Sequence, residues 1–371
     1  MQQDLAHGQP PHQGVIRIGL DSVDAVREAL LARRSGGPVA IVADQAVVGL
    51  AGRIGHGLQG VGIDARLCTM VADERSKSLD TVGSLASQLL AHGVTRAGVV
   101  VAVGGGIVGD TAGFVAATYM RGVRCIQVPT TLLAMVDAAI GGKSAVNVVL
   151  RDGSLAKNAV GAFAIPELVV CDPSALNTLP PREMQCGLAE CVKHALLADA
   201  GLADWLAAHA MAVVGKDTAA IAELVARAAA VKVAIVDRDP TEQGDRALLN
   251  LGHTYAHAIE ARHDDGVKHG EAVAIGLVAA MTVASRLGRI GHAQVEALQA
   301  LLERLGLPTR LQDVVGAPDP AATLRRCMDL DKKRAGRGLV LVLPQGPIGA
   351  GLVESPPEDA VMAGWSAVGA G

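Results

Sequence analysis

The apolar residues of this chain fall into two textures that change at Leu179-Pro180-Pro181. Before that point, short β-branched runs alternate with amphipathic stretches. Gly37–Asp44 (GPVAIVAD) and Ala97–Val103 (AGVVVAV) read as buried strands, because an unbroken apolar run bounded by turn residues suits a strand covered on both faces. Ser22–Arg34 and Ser78–His92 carry the spacing of helices that bury one side. Strands alternating with helices predict a Rossmann-like parallel sheet wrapped by helices. Past Pro181, the segments Glu183–Ala208, Thr218–Asp237, Leu248–Arg262, Glu271–Leu287 and His292–Leu305 are rich in Ala, Leu and Val at helical spacing. Strand signals nearly vanish until Gly338–Leu343 (GLVLVL), which reads as a late hairpin or edge strand. The expected organisation is an α/β domain over residues 1–180, a mostly α-helical domain over 181–355 and an irregular tail over 356–371.

Bulk properties remove several function classes. A chain of 371 residues is long for one core, which favours two domains. The net charge of −4 provides no global field for nucleic acid or an anionic bilayer, so any anionic ligand must be met by local cations. Aromatic residues are only 2% of the chain, too few for base-stacking platforms. The longest apolar runs, such as AVAIGLVAAMTVA, are too short to span a bilayer. The six cysteines form no C-x-x-C pair and sit mainly in apolar or helical surroundings, as reduced thiols do. MQQDLAHGQPPHQG lacks the basic and apolar regions of a signal peptide and reads as a loose leader. These features predict a soluble cytoplasmic protein without nucleic-acid or membrane partners.

Gly104, Gly106 and Gly109 satisfy G-x-G-x-x-G directly after a strand and before a helix. There, backbone N–H groups and the helix dipole can face a pyrophosphate. An ordinary Rossmann unit places an acid for the ribose roughly 20 residues downstream. That region here reads Arg124-Cys125-Ile126, whereas Asp44 and Glu74 are upstream carboxylates available for the role. A second constellation lies in the helical half. His253 and His257 are spaced H-x-x-x-H, which puts two imidazoles on one helix face with Asn250 beside them. Glu190 and Lys193, three apart, project together from another helix, and His269 precedes a third. Two imidazoles and a carboxylate would leave coordination positions open, as catalytic metal sites do. A dinucleotide turn with a metal site points to redox chemistry at a polyol carbon.

Four segments together resemble the 3-dehydroquinate synthase family: Gly104–Asn147, LPPREMQCGLAECVKHALLAD, RALLNLGHTYAHAIEA and HGEAVAIG. The similarity runs from Pro38 to Leu343. It implies a dehydroquinate synthase-like fold and conversion of 3-deoxy-D-arabino-heptulosonate 7-phosphate to 3-dehydroquinate and phosphate, with NAD and a zinc or cobalt ion. By the same resemblance the metal falls on Glu190, His253 and His269, leaving His257 to the substrate. NAD contacts fall on Asp44, Glu74, Lys77, Gly105, Gly106, Ile107, Asp110, Thr130, Thr131, Lys157, Thr178 and Glu183. Catalytic roles fall on Asp137, Lys143, Lys193, Asn250 and His257. Substrate contacts fall on Asn158, Lys232, Arg246 and a lysine of the pair Lys332 and Lys333. Arg121 is implied to cross into the neighbouring site of a homodimer.

The chain departs from the family pattern between Lys143 and Lys157-Asn158, where SAVNVVLRDGSLA is longer than usual and Ala156 replaces a glycine. Ala138 and Ser144 stand where Ser and Thr are usual. Sugar-phosphate cyclases of the aminodehydroquinate or valiolone type, and metal-dependent polyol dehydrogenases, share much of this plan. Lys232, Arg246, Asn250 and His257 suit a carboxylated substrate, which the amino variant also has.

Overall fold

The computed structural model describes residues 2–8, 13–33, 36–263, 266–335 and 338–371, with the side chains of 330–337 outside the description. Lys332 and Lys333 therefore lie outside the described side chains. Two compact units are present, Met1–Leu179 with Ile221–Thr241, and Pro180–Ala220 with Glu242–Gly371.

The first unit contains β1 (Gln3–His7), β2 (Gly14–Ile18), α1 (Ser22–Ala32), β3 (Val39–Asp44), α2 (Val48–Gln59), β4 (Ala65–Met70) and α3 (Leu79–Ala91). These are followed by β5 (Val99–Gly104), α4 (Gly106–Thr118), β6 (Arg124–Pro129), β7 (Lys143–Val149), β8 (Leu155–Phe163) and β9 (Leu168–Cys171). Seven strands form one sheet in the order β1-β2-β9-β6-β5-β3-β4, parallel except for the β1–β2 pair. Alternation along the central strands builds two cores. Ile41 and Val101 face Leu30 and Ile54 of α1 and α2, while Val42 and Val100 face Leu89 and Val115 of α3 and α4. Both faces are buried, which is why these strands read as continuous apolar runs.

The connections fix where a ligand can enter. From β3 the chain moves outward to β4, then returns across β3 to β5 and continues to β6. The direction of winding reverses between β3 and β5. Ligands of open α/β sheets bind at such a switch point, outside the carboxyl ends of the strands. Gly104 ends β5, and Asp44 ends the neighbouring β3, where Ala43 is paired with Val103. The upstream acid thus lies beside the glycine turn.

The N-terminal segment differs from the expected loose leader. β1 pairs antiparallel with β2 and supplies the last strand of the sheet. His7 is fully buried, and its Nε2 accepts a hydrogen bond from Gly141 N at 3.0 Å. Short alternating stretches flanked by Gly and Pro carried too little apolar signal to read as strands.

The second unit holds α5 (Pro181–Ala198) and α6 (Ala200–Val214), and α7 (Thr218–Arg238) then lies mostly in the first. The second unit continues with α8 (His253–Glu260), α9 (His269–Arg286), α10 (His292–Arg304), α11 (Ala321–Ala335), the antiparallel pair β10 (Val340–Pro344) and β11 (Ala350–Glu354), and α12 (Glu358–Ala367). The single helix expected over Glu183–Ala208 is two, because Asp199 stops α5 and caps α6 by accepting from Leu202 N at 3.0 Å. The tail expected to be irregular is helical. Within α12, Trp365 is fully buried and stacks edge-on against Tyr255 at 4.7 Å between centroids. None of the described helices is long and apolar enough to cross a membrane.

Candidate active site

In the first unit, Gly105 is extended and Gly106 opens α4, so a single residue separates the end of β5 from the helix N-terminus. Thr130 leaves β6 on the adjacent side and donates its N–H to Gly104 O at 2.9 Å. Thr131 Oγ1 accepts from Ala134 N at 3.1 Å and so starts the wide turn Ala134–Ala138 that presents Asp137. Asp137 contacts the ammonium of Lys232, which also donates to the Asp137 backbone oxygen at 2.6 Å. Lys232 is buried, and this arrangement ties α7 to the Asp137 turn.

A second group gathers around α4. Lys77 is buried and lies 2.5 Å from Asp110 Oδ2 and 2.5 Å from Asn158 Oδ1. Burial pushes the Asp110 carboxyl above its ordinary range, and the Lys77 ammonium opposes this without cancelling it. Glu74 is held by Asn147, a residue the sequence reading assigned no role. Lys143 begins β7 and Lys157 lies in β8, both exposed. Asn158, with φ of 53°, takes the left-handed conformation, which asparagine tolerates, whereas Ala156 is not among the residues at positive φ. Arg121 is exposed and also left-handed, at φ 66°. Thr178 is exposed beyond β9.

In the second unit three chain segments converge. Glu190 is fully buried on α5, His253 is the first residue of α8, and His269 is the first residue of α9. His253 Nε2 and His269 Nε2 each lie 3.6 Å from Glu190 Oε1. One ligand atom from each residue falls within 4.8 Å of the others. A separation of 3.6 Å is too long for a hydrogen bond. It matches two ligands of one ion, since donors about 2.1 Å from a tetrahedral metal stand about 3.4 Å apart. The donor set therefore fits a divalent metal.

Each imidazole is turned toward that point by its other nitrogen. His253 Nδ1 lies 3.1 Å from Leu251 O, and His269 Nδ1 lies 3.2 Å from Glu260 Oε1. Such outer partners fix the tautomer and ring orientation of metal-binding histidines. Glu260 was not singled out by the sequence; its only signal was a carboxylate one helical repeat beyond His253 on the same short helix. His257 shares the α8 face with His253, their rings 5.6 Å apart at 88°, but the ligand atoms that gather within 4.8 Å of one another belong to Glu190, His253 and His269. Asn250 does not share the helix, since it ends a 3-10 turn (Asp245–Asn250) that Gly252, at φ 79°, separates from α8.

Close packing makes the convergence possible. A Cβ on Gly270 would stand 2.2 Å from Cys186 Cα, and one on Gly276 would stand 2.2 Å from Gly252 O. Glycine adjoins each of these two histidines in sequence, so α9 approaches α5 and α8 backbone to backbone. Arg182 anchors the start of α9 through Glu271 at 2.5 and 2.7 Å.

Charge in the centre is strongly unequal. Burial disfavours ionised Glu190, but the contacting Lys193 ammonium and the two imidazoles hold its carboxyl well below the ordinary range. Burial and the same ammonium hold His253 well below its ordinary value, leaving it neutral. For His269, burial is outweighed by the carboxylates of Glu190 and Glu260, which raise it to about 10. Lys193 and Arg246 are both buried cations in this unit, while Glu183 meets Lys268 at 2.9 Å.

Comparison with known proteins places the chain in a family. The 3-dehydroquinate synthase N-terminal family model matches residues 67–186, and the C-terminal model matches 187–334. The 3-dehydroquinate synthase of Caulobacter vibrioides (strain NA1000 / CB15N) is 43% identical over 343 residues, 91% of each chain. That of Xanthomonas oryzae pv. oryzae (strain MAFF 311018) is 46% identical over 299 residues, 79% of this chain and 78% of the relative. Among solved structures, the valiolone synthase ValA from Streptomyces hygroscopicus subsp. jinggangensis 5008, with NAD+ and Zn2+ bound, superposes with a TM-score of 0.81 at 29% identity, covering 91% of this chain and 92% of that one. A 2-deoxy-scyllo-inosose synthase complexed with carbaglucose-6-phosphate, NAD+ and Co2+ shares the fold with a TM-score of 0.84 at 24% identity, covering 98% and 99%.

The fold is that of the sugar-phosphate cyclases. Among these, the chain belongs to the 3-dehydroquinate synthase family. Its activity is that of a lyase in the shikimate pathway, 3-dehydroquinate synthesis.

Proposed function

We propose that this chain binds NAD at the glycine turn and one zinc or cobalt ion on Glu190, His253 and His269. With these it converts 3-deoxy-D-arabino-heptulosonate 7-phosphate to 3-dehydroquinate and phosphate. The observation that carries this reading is the convergence of the two imidazole Nε2 atoms on Glu190 Oε1, each at 3.6 Å. When bound, the metal supplies Lewis acidity to a ring hydroxyl and the dinucleotide a reversible hydride acceptor.

The chain's own residues bind, orient and move protons. Asp44 and Glu74 take ribose hydroxyls, while the N–H groups of Gly105, Gly106 and Ile107 face the pyrophosphate. Lys77, Asp110, Thr130, Thr131, Lys157, Thr178 and Glu183 complete the dinucleotide contacts. Lys193, Lys232 and Arg246 are buried cations and so lose little further solvation when they receive the substrate's carboxylate and phosphate. Lys143, Asn158, Asn250 and Lys332 or Lys333 orient the remaining oxygens. Asp137 and His257 carry protons. Binding and orientation supply much of the rate, because the later steps are rearrangements of one substrate. A homodimer in which Arg121 enters the partner's site completes the reading.

Incubation with the heptulosonate phosphate, NAD+ and zinc tests it. Phosphate release with a carbocyclic product and no net NADH is expected from the native chain, and neither product from His253→Ala. Net NADH without phosphate release would replace this reading with a polyol dehydrogenase.

A further inference from the structure

Asn147 lies in β7, within the hairpin that departs from the family pattern, and is 3% exposed. The β7–β8 register shifts between Val146 and Val148, so Asn147 stands at the irregularity. Its side chain reaches across to β8 on one side and out of the hairpin on the other. Nδ2 donates to Glu74 O and to Glu74 Oε2, both at 2.8 Å. Oδ1 accepts from Asn158 N at 2.8 Å. Its backbone N–H donates to Lys77 O at 2.8 Å, and Lys77 Nζ closes the circuit on Asn158 Oδ1 at 2.5 Å.

One buried amide is therefore bonded at once to Glu74 and to Asn158. Both of its polar atoms are engaged, which fixes the amide plane. Asn158 is left-handed at φ 53°, so its side-chain direction depends on what holds its backbone. Asn147 supplies that hold. A ligand that orders Glu74 also orders Asn147, and the next ligand to use Asn158 then loses less conformational freedom.

We propose that Asn147 is a positioning residue that locks Glu74 and Asn158 into one arrangement, so that dinucleotide binding prepares the sugar-phosphate contact. The inference rests on assigning Glu74 to the dinucleotide and Asn158 to the substrate.

The test uses the full chain with zinc, measuring NAD+ affinity by calorimetry and sugar-phosphate KM and kcat at saturating NAD+. Asn147→Ala should weaken NAD+ binding and raise KM about tenfold each, the scale of a lost buried hydrogen bond. Its kcat should change by no more than about twofold, because the interaction is not specific to the transition state. Asn147→Asp keeps the acceptor for Asn158 N but sets a carboxylate against Glu74; it should weaken NAD+ binding as much while moving KM less. A lower melting temperature or kcat with NAD+ affinity and KM unchanged would overturn the proposal. Amide hydrogen exchange on the unaltered protein gives an answer independent of variant folding: NAD+ alone should slow exchange at Asn158 N, and unchanged exchange would overturn it. Glu74→Gln with unaltered NAD+ affinity would remove Glu74 from the dinucleotide site and overturn the coupling through that assignment.

Discussion

Gly270 lies against Cys186 so closely that an added Cβ would stand 2.2 Å from the Cys186 Cα. No side-chain rotation relieves such a contact, because the obstructing atom is backbone. Gly270→Ala must push the start of α9 away from α5 and carry His269 with it. The expected result is a destabilisation of about 1–3 kcal/mol together with loss of stoichiometric zinc. Thermal melting and metal analysis after dialysis measure the two effects. A variant that keeps one zinc per chain would show that α9 can shift without opening the triad.

Glu260 is expected to act through His269. Glu260→Gln keeps the size of the side chain but removes the carboxylate 3.2 Å from Nδ1. Zinc affinity should fall about 10–100-fold, as for other outer partners of metal ligands. Competition with a chromophoric chelator reads this directly, without reference to turnover. Unaltered affinity would leave Glu260 with a surface role only.

The metal-free centre should hold a proton that the metal displaces. His269 is raised to about 10, so it is protonated at neutral pH, whereas His253 is already neutral. A divalent ion needs both nitrogens free, and uptake near neutral pH should release about one proton per ion. Affinity should consequently fall as pH falls. The sign for stability runs the other way: the protonated His269 favours the metal-free fold below its unfolded value, and that contribution is lost as pH rises through about 10. Calorimetry in buffers of different ionisation enthalpy counts the protons, and a count of zero would contradict the charge assignment.

Arg121 gives a test of the proposed dimer. Arg121→Ala and Lys193→Ala should each be nearly inactive alone. Coexpressed in equal amounts they should regain about a quarter of native activity, because half the dimers are mixed and each mixed dimer has one intact site. No recovery, with mixed dimers shown by mass spectrometry, would place Arg121 in its own chain's site.

The central sheet was legible because a strand buried on both faces leaves an unbroken apolar run, as in GPVAIVAD and AGVVVAV. β1 and β2 were not, because each is short with little apolar signal, and what places the pair in the sheet is the contact of β2 with the distant strand β9. The break at Asp199 hides in an Ala- and Leu-rich stretch where a cap differs from a helix interior by one side chain. The H-x-x-x-H spacing of His253 and His257 gives a shared face, with rings 5.6 Å apart, yet it is His269, from a separate helix, that stands beside Glu190 with His253. Glu260 and Asn147 escaped notice for a common reason: each acts by orienting another residue, and a hydrogen bond between separate segments leaves no periodic trace.

The antiparallel pairing of β1 has a practical side for anyone handling this protein. Gln3–His7 covers one hydrogen-bonding margin of β2 over its whole length. Cutting it away would leave a row of unmet amides and carbonyls, ready to template a neighbouring molecule. Affinity tags placed ahead of Gln3 should therefore be spaced by a soluble linker, and preparations trimmed by proteases at Gly8 should be screened for fibrous or amorphous precipitate before any kinetic defect is ascribed to chemistry.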